Sequence, residues 1–265
     1  MAKRHRPKLG QHFLSDARYC SRVADALEAG PGDLVIEIGP GHGAVTGLLA
    51  SRARRVVAIE IDPELVEELR LKFQHSRNVE IVQGDILVTD LGEICRRHNV
   101  ERCIVFGNLP YYITSPIIHH VLGFATLVRA MGLLVQREVA DRLVAQPGSR
   151  DYGYLTVFSR LYSSARVVLQ VPPGAFSPPP KVNSAFVRFE MYTSLRSVRQ
   201  ANEQEFLGFL KQCFVFKRKM LLNCLAPMYP RQRIEAELEQ LGLPPGVRAE
   251  QLSLDQFIAI FSNLR

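Results

Sequence analysis

The sequence predicts an α/β fold, with helices on both faces of a mostly parallel sheet and a small all-helical domain after it. Three observations indicate this class. Short apolar segments alternate with amphipathic ones through the first hundred residues. A glycine-rich turn follows the first apolar segment, and the strand-like pattern stops after Tyr192. A chain of 265 residues holds one or two domains. We predict a sheet domain over residues 1–190 and a helical domain over residues 191–265.

The first third of the chain has the order strand, helix, strand, helix, strand. Leu34–Ile38 is a short apolar run between glycine-rich turns, residues 43–54 have helical content, and residues 55–61 are rich in β-branched side chains. Asp62 suits a helix N-cap, and Pro63 suits the first helical position. This order predicts a parallel sheet, in which ligands bind at the carboxyl ends of the strands.

The later elements follow the same criteria. Buried strands are predicted at residues 79–82 and 103–106, and further strands at 132–136, 166–171 and 185–190, the last two separated by a proline-rich loop. In the C-terminal part, helices are predicted at Glu203–Cys213 and at residues 231–241. Ser253-x-x-Gln256 forms a capping box that leads into a last helix over residues 257–264.

Charge is unevenly distributed along the chain. Lys and Arg number 33 against 26 Asp and Glu, a net charge of +7, which favours a polyanionic partner. Residues 31–94 carry a net charge of −5, so the remainder carries +12. Two basic clusters are candidates for contact with phosphate groups: Lys3, Arg4, Arg6 and Lys8, and then Lys217, Arg218 and Lys219.

Several classes of protein are disfavoured. The longest stretch without Asp, Glu, Lys or Arg spans residues 103–128, but it contains two prolines, an asparagine and a histidine pair, which argues against a membrane span. No signal peptide follows the basic N-terminus, so we expect a cytoplasmic protein. The five cysteines form no C-x-x-C pair, which argues against a disulfide framework or a zinc site.

Carboxylates lie beside the glycine-rich turn Glu37-Ile-Gly39-Pro-Gly41. Glycines there let a backbone approach a ligand closely, and Glu60 lies at the distance expected for binding ribose hydroxyls. Glu37 disfavours a pyrophosphate but suits the ammonium and sulfonium charges of S-adenosylmethionine. Asp85 is then placed to accept a hydrogen bond from the adenine amino group. The alternatives are a capping role for Asp85, a solvent-exposed Glu37, and an NAD-dependent oxidoreductase.

The tetrapeptide Asn108-Leu-Pro110-Tyr111 follows the fourth strand, at the same edge of the sheet. Methylation of an exocyclic amine requires that its nitrogen lone pair be turned out of ring conjugation. The Asn108 side-chain oxygen and the Pro110 carbonyl are two acceptors for its N–H groups, and Tyr111 offers an aromatic face to the base. This chemistry needs no metal. The alternative interpretation is a plain strand-to-helix turn.

Five segments resemble, in order, those of KsgA-type ribosomal RNA adenine-N6 dimethyltransferases: residues 8–14, 37–41, 108–112, 136–140 and 176–182. Residues 217–223 and 248–254 are similar to the helical RNA-recognition domain of that family. The resemblance implies a Rossmann-like S-adenosylmethionine-dependent methyltransferase. It implies dimethylation of two adjacent adenosines in a hairpin loop near the 3′ end of small-subunit ribosomal RNA, late in subunit assembly. Nothing in the sequence requires more than a monomer.

The resemblance also assigns individual residues. It implies cofactor contacts at His12, Leu14, Gly39, Glu60, Asp85 and Asn108. The family usually has Asn where this chain has His12. In the proline-rich loop, it implies that Phe176 is held against the flipped adenine, opposite Tyr111. Two rival functions remain open: a methylase of large-subunit RNA, and a non-catalytic assembly factor that keeps the fold.

Overall fold

A computed structural model describes residues 12–193, 202–216 and 219–265, apart from the side chain of Tyr111. The predicted N-terminal basic cluster, together with Lys217 and Arg218, lies outside the described residues. The strands are β1 Phe13–Leu14, β2 Leu34–Ile38, β3 Arg55–Glu60, β4 Val79–Gln83, β5 Cys103–Asn108, β6 Val128–Gln136, β7 Ser163–Val171, β8 Phe176–Ser177 and β9 Ser184–Met191. The helices are α1 Ala17–Ala26, α2 Thr46–Ala50, α3 Pro63–Lys72, α4 Leu91–Arg97, α5 Thr114–Leu122, α6 Arg137–Val144, α7 Tyr154–Tyr162, α8 Glu203–Cys213, α9 Leu221–Leu225, α10 Arg231–Gln240 and α11 Leu254–Leu264.

A seven-stranded sheet has the order β4-β3-β2-β5-β6-β9-β7. Strands β4, β3, β2, β5 and β6 are mutually parallel, and β9 runs antiparallel to β6. The predicted mostly parallel sheet is confirmed. Because β3 and β5 flank β2 on opposite sides, the strand order reverses at β2, and a ligand crevice is expected at its carboxyl end.

The central strands are buried because both faces of the sheet are covered. Every residue of β2 is buried, as the continuous apolar run predicts. The strand predicted at residues 79–82 is present, but its residues are only half-buried. The expectation of full burial there is wrong, because β4 is the last strand of the sheet and pairs only with β3.

Helix α3 begins as its sequence predicts. The Asp62 side chain accepts the backbone N–H of Glu64 at 2.9 Å, and Pro63 occupies the first turn. The predicted capping box is also present, because Ser253 Oγ accepts the Gln256 N–H at 3.2 Å and Gln256 Oε1 accepts the Ser253 N–H at 2.9 Å.

The structure divides the chain differently from the predicted boundary at residue 190. One compact unit comprises the residues up to 140 together with 165–191, and the other comprises residues 141–164 and 192–265. Helix α7 belongs to the second unit because it packs on α8 and α11, and the Tyr152 hydroxyl donates to the Leu252 carbonyl at 2.7 Å. The prediction of an all-helical C-terminal part therefore omitted a helix that precedes the last strand in sequence.

Within the described ranges, no helix is long and apolar enough to cross a membrane. All five cysteines are buried free thiols.

Candidate active site

Apart from Glu37, the residues predicted at the strand ends meet in one cavity of about 200 Å³. Each follows a different parallel strand, and all of those strands end at the same edge of the sheet. The glycine-rich turn follows β2, Glu60 ends β3, Asp85 follows β4 and Asn108 ends β5. His12, Pro110 and Tyr112 also line this cavity. The sequence therefore predicted correctly that these groups come together.

A second cavity of about 290 Å³ adjoins the first. Phe13, Gly39 and Asn108 line both cavities. Glu37 and Leu14 line only the second one. Asn108 thus lies at the junction, and the predicted cofactor residues are divided between the two spaces.

Glu60 is buried and its carboxylate is held by three backbone N–H groups. Oε1 accepts the N–H of Ile61 at 2.9 Å and of Asp62 at 3.0 Å, and Oε2 accepts the N–H of Gly41 at 3.3 Å. Burial raises the pKa of Glu60, while these three donors act in the opposite direction. The last contact ties β3 to the glycine-rich turn, so Glu60 stabilises the turn in addition to lining the cavity.

Glu37 is also buried, at 2% exposure, but its environment differs. Among the described residues, Glu37 Oε2 has no hydrogen-bond partner. Burial raises the pKa of Glu37 to about 7. The charge of Glu60 adds to this increase, while the Thr46 hydroxyl and Lys72, which lines the same cavity as Glu37, act in the opposite direction. The alternative of a solvent-exposed Glu37 is therefore wrong. A buried carboxylate with an unpartnered oxygen beside a cavity is suited to a cationic ligand group.

The glycine-rich turn requires glycine for two separate reasons. Gly39 and Gly41 both have left-handed backbones, with φ of +62° and +57°. A Cβ on Gly41 would lie 2.5 Å from Phe13 Cδ1, whereas a Cβ on Gly39 would meet no atom within 4 Å. Gly41 is therefore needed for close packing against Phe13, and Gly39 leaves space open beside both cavities.

Asp85 has two roles. Its Oδ1 accepts the N–H of Leu87 at 2.9 Å and caps a single 3₁₀ turn over Ile86–Val88. It also lines the first cavity. The capping alternative is thus correct, and it does not remove Asp85 from the site.

Asn108 is oriented by the backbone of the N-terminal segment. Its Nδ2 donates to the His12 carbonyl at 2.9 Å. Because the amide nitrogen is committed to this contact, Oδ1 is the acceptor that the side chain can offer to a ligand. The second predicted acceptor is more constrained, since the Pro110 carbonyl already accepts the Ile113 N–H at 3.2 Å and the Thr114 hydroxyl at 3.4 Å. An incoming amine would have to share that oxygen.

Comparison with known proteins identifies the family. A family model described as Ribosomal RNA adenine dimethylase matches residues 2–265. The chain is 43% identical over 262 residues to Ribosomal RNA small subunit methyltransferase A of Acidobacterium capsulatum, covering 98% of this chain and 92% of that protein. It is 41% identical over 260 residues to the protein of the same name from Geobacter metallireducens, covering 97% and 94%. The chain belongs to the ribosomal RNA adenine dimethylase family.

Solved structures share the fold of this ribosomal RNA adenine dimethylase. The 23S rRNA methyltransferase ErmE has a TM-score of 0.76 at 30% identity, covering 95% of this chain and 99% of that chain. A dimethyladenosine transferase from Plasmodium falciparum has a TM-score of 0.79 at 26% identity, covering 94% and 96%. The predicted methyltransferase fold is thus confirmed.

In this family member the N-terminal segment pairs with the proline-rich loop. Strand β1 lies antiparallel to β8, with Phe13 opposite Ser177 and Leu14 opposite Phe176. His12 Nδ1 donates to the Pro178 carbonyl at 2.8 Å. The imidazole is therefore engaged with the loop. Sequence reasoning missed this pairing because two strands of two residues each carry no periodic pattern.

The predicted position of Phe176 differs from the observed one. Its side chain is 4% exposed, belongs to the hydrophobic core with Leu14 and Cys20, and lines neither cavity. The expectation that Phe176 stacks against a base is therefore not met in this structure, because pairing with Leu14 turns the ring into the core. The side chain of Tyr111, its predicted counterpart, lies outside what the structure describes.

Proposed function

We propose that this member of the ribosomal RNA adenine dimethylase family dimethylates the N6 amines of two adjacent adenosines. The target is a hairpin loop near the 3′ end of 16S ribosomal RNA, late in small-subunit assembly, and the methyl donor is S-adenosylmethionine. The observation that carries the proposal is the position of Asn108. Its side chain is fixed by the His12 carbonyl and borders both cavities, so one acceptor is available where the two spaces meet.

The site residues fit S-adenosylmethionine. Glu37 presents a buried carboxylate oxygen that has no partner within the described part of the chain, which suits the cofactor's ammonium group. Glu60 and Asp85 line the other cavity, where they are suited to the ribose hydroxyls and the adenine amino group, respectively. Gly39 leaves room for close approach. When bound, the cofactor supplies an electrophilic methyl group on a positively charged sulfur.

The protein's own contribution is positioning. Asn108 Oδ1 accepts one N–H of the target amine and thereby favours tetrahedral geometry at that nitrogen, which withdraws its lone pair from conjugation with the ring. Because Asn108 Nδ2 is already bonded to His12, the side chain needs no reorganisation when the amine arrives. The Pro110 carbonyl is the second acceptor that we predict, shared with the donors of the following turn. All these groups belong to one chain, and we propose a cytoplasmic monomer.

The nearest competing function is methylation of large-subunit RNA. The similarity to ErmE, a 23S rRNA methyltransferase, at 30% identity supports this alternative. The relatives at 43% and 41% identity, both named small subunit methyltransferases, favour the small subunit.

The test is mass spectrometry of ribosomal RNA after incubation of the purified protein with S-adenosylmethionine. Undermethylated small subunits and large-subunit RNA are offered in parallel. We expect two adjacent dimethyladenosines in 16S RNA with the unmodified protein, and none with Asn108→Ala. Leu71→Ala, at an exposed position of α3 outside both cavities, serves as the surface control and should retain activity. Methylation of large-subunit RNA alone would refute the proposed substrate, and full activity of Asn108→Ala would refute the proposed mechanism.

A further inference from the structure

Tyr112 is an exposed aromatic residue at the edge of the first cavity. It is 63% exposed, although its ring is mostly apolar. It lies in a 3₁₀ turn, Tyr111–Ile113, that begins directly after the Asn108-Leu-Pro segment, and it lines the same cavity as Asn108 and Pro110. Tyr112 is the last residue of the segment 108–112, whose resemblance to the family implies no role for this side chain.

The turn beneath Tyr112 is firmly held. The Ile113 N–H and the Thr114 hydroxyl both donate to the Pro110 carbonyl, and Thr114 is itself buried. Ile117, one turn further along α5, is buried and lines the cavity. The backbone on either side of Tyr112 is thus anchored while its ring faces solvent. Stacking of a base on this ring would therefore have to order only the side chain and not the backbone.

The charges of the cavity indicate which part of an RNA approaches here. The side chains that line it include the carboxylates of Glu60 and Asp85, and no Lys or Arg among the described residues. A phosphate group would find no cationic partner in this cavity and would be repelled by the two carboxylates. These charges therefore disfavour a phosphate beside Tyr112 and favour a base there.

We propose that Tyr112 is a stacking platform for the nucleobase next to the one held at Asn108. This inference rests on the proposed function, in which two adjacent adenosines are modified in turn. When the amine of one adenine is held at Asn108, the neighbouring base lies outside that contact, and Tyr112 is exposed at the edge of the cavity that Asn108 also lines. Stacking on an aromatic face needs no hydrogen-bond readout, so the same ring serves either adenosine as the neighbour. Tyr112 is in this sense a positioning residue for the RNA, separate from the Asn108 acceptor.

The test uses an RNA hairpin whose loop carries 2-aminopurine, a fluorescent adenine analogue quenched by stacking, next to the target adenosine. The protein variants are Tyr112→Phe, Tyr112→Leu and Tyr112→Ala, with Leu71→Ala as the exposed control on α3, 68% exposed. Leu keeps an apolar side chain but lacks the ring, so it separates stacking from apolar contact. Three quantities are measured for each: the fluorescence, the RNA dissociation constant, and the affinity for S-adenosylmethionine.

We expect the unmodified protein, Tyr112→Phe and Leu71→Ala to quench the probe. Tyr112→Leu and Tyr112→Ala should fail to quench it and should bind the hairpin between about 5-fold and about 150-fold more weakly. Because Tyr112 lines the same cavity as Glu60 and Asp85, the cofactor affinity of each variant separates a change in the cavity from a loss of stacking on RNA. Quenching and RNA affinity in Tyr112→Leu equal to those of the unmodified protein would overturn the inference while leaving the proposed methylation intact. A different outcome is that the protein methylates neither small-subunit nor large-subunit RNA, while quenching still requires an aromatic ring at position 112. That outcome would refute the proposed function and leave the stacking role of Tyr112 intact.

Discussion

Substitution of Gly41 by alanine should destabilise the protein much more than the same substitution of Gly39. Both glycines belong to one turn and both have left-handed backbones, with φ of +57° and +62°. They differ in their surroundings, because a Cβ on Gly41 would lie 2.5 Å from Phe13 Cδ1 and a Cβ on Gly39 would meet nothing within 4 Å. Gly39→Ala is thus a matched control for backbone strain alone.

The expected losses in free energy of unfolding follow from two contributions, the strain of a left-handed backbone and the overlap with the Phe13 ring. A left-handed backbone costs a residue with a Cβ about 1–2 kcal/mol, and both variants bear this cost. Forcing a methyl group into a packed ring adds about 1–3 kcal/mol, which only Gly41→Ala bears. We therefore expect a loss in free energy of unfolding of about 1–2 kcal/mol for Gly39→Ala and about 2–5 kcal/mol for Gly41→Ala.

The assay is urea unfolding without cofactor, since Gly39 borders both cavities and its substitution would also alter binding. Phe13→Ala is added alone and together with Gly41→Ala, which gives a double-mutant cycle. When the Phe13 ring is absent, the Cβ added by Gly41→Ala has no ring to overlap with, so Gly41→Ala should cost less stability in the Phe13→Ala background. The coupling free energy between the two substitutions should therefore reach about 1–3 kcal/mol. Equal losses for the two glycine variants, or a coupling free energy near zero, would refute the proposed packing of β1 on the turn.

Three further predictions concern single groups. Burial raises the pKa of Glu37 to about 7 from an ordinary 4.5. The folded protein therefore binds more protons than the unfolded chain between these pH values. Relative to Glu37→Gln, its free energy of unfolding without cofactor should fall by about 3 kcal/mol from pH 4.5 to pH 7 in urea titrations. Asn108→Asp would place an acceptor against the His12 carbonyl, so we expect the free energy of unfolding to fall by about 1–3 kcal/mol relative to the unmodified protein. This loss should grow as the pH rises above about 4, where the new carboxyl ionises. A loss that does not depend on pH would contradict this orientation of the Asn108 amide. Ser253→Ala removes the N-cap of α11 and should lower the free energy of unfolding by about 1 kcal/mol in the same urea titration. An unchanged free energy of unfolding would show that this cap does not stabilise the helix.

The elements predicted from sequence are those with a local cause. Strand β2 is a continuous apolar run between turns, and its bounds were predicted without error. Helix α8 was also predicted with its observed bounds, Glu203–Cys213. The start of α3 follows from Asp62 and Pro63, whose roles are determined by neighbouring residues. In each case the relevant contacts lie within a few positions along the chain, so the sequence contains the information directly.

The elements that were missed depend on distant partners. Strands β1 and β8 exist because Leu14 and Phe176 meet across more than 160 residues of chain. No local pattern indicates this pairing, and the resulting burial of the Phe176 ring contradicts its expected exposure to a base. The assignment of α7 to the helical unit likewise depends on contacts with α8 and α11 that follow much later in the chain.

Glu37 and Glu60 are a further case in which the position of a residue in the sequence did not predict the hydrogen bonds of its side chain. Both were predicted as carboxylates at the ends of adjacent strands, and both are 2% exposed. Three backbone N–H groups compensate Glu60, whereas one oxygen of Glu37 has no partner among the described residues. A compensated carboxylate attracts a further cation less strongly than an uncompensated one in the same dielectric. We therefore infer that Glu37 is the carboxylate left to interact with a cationic ligand group, in a cavity that Lys72 also lines, while Glu60 maintains the shape of the turn that the ligand approaches.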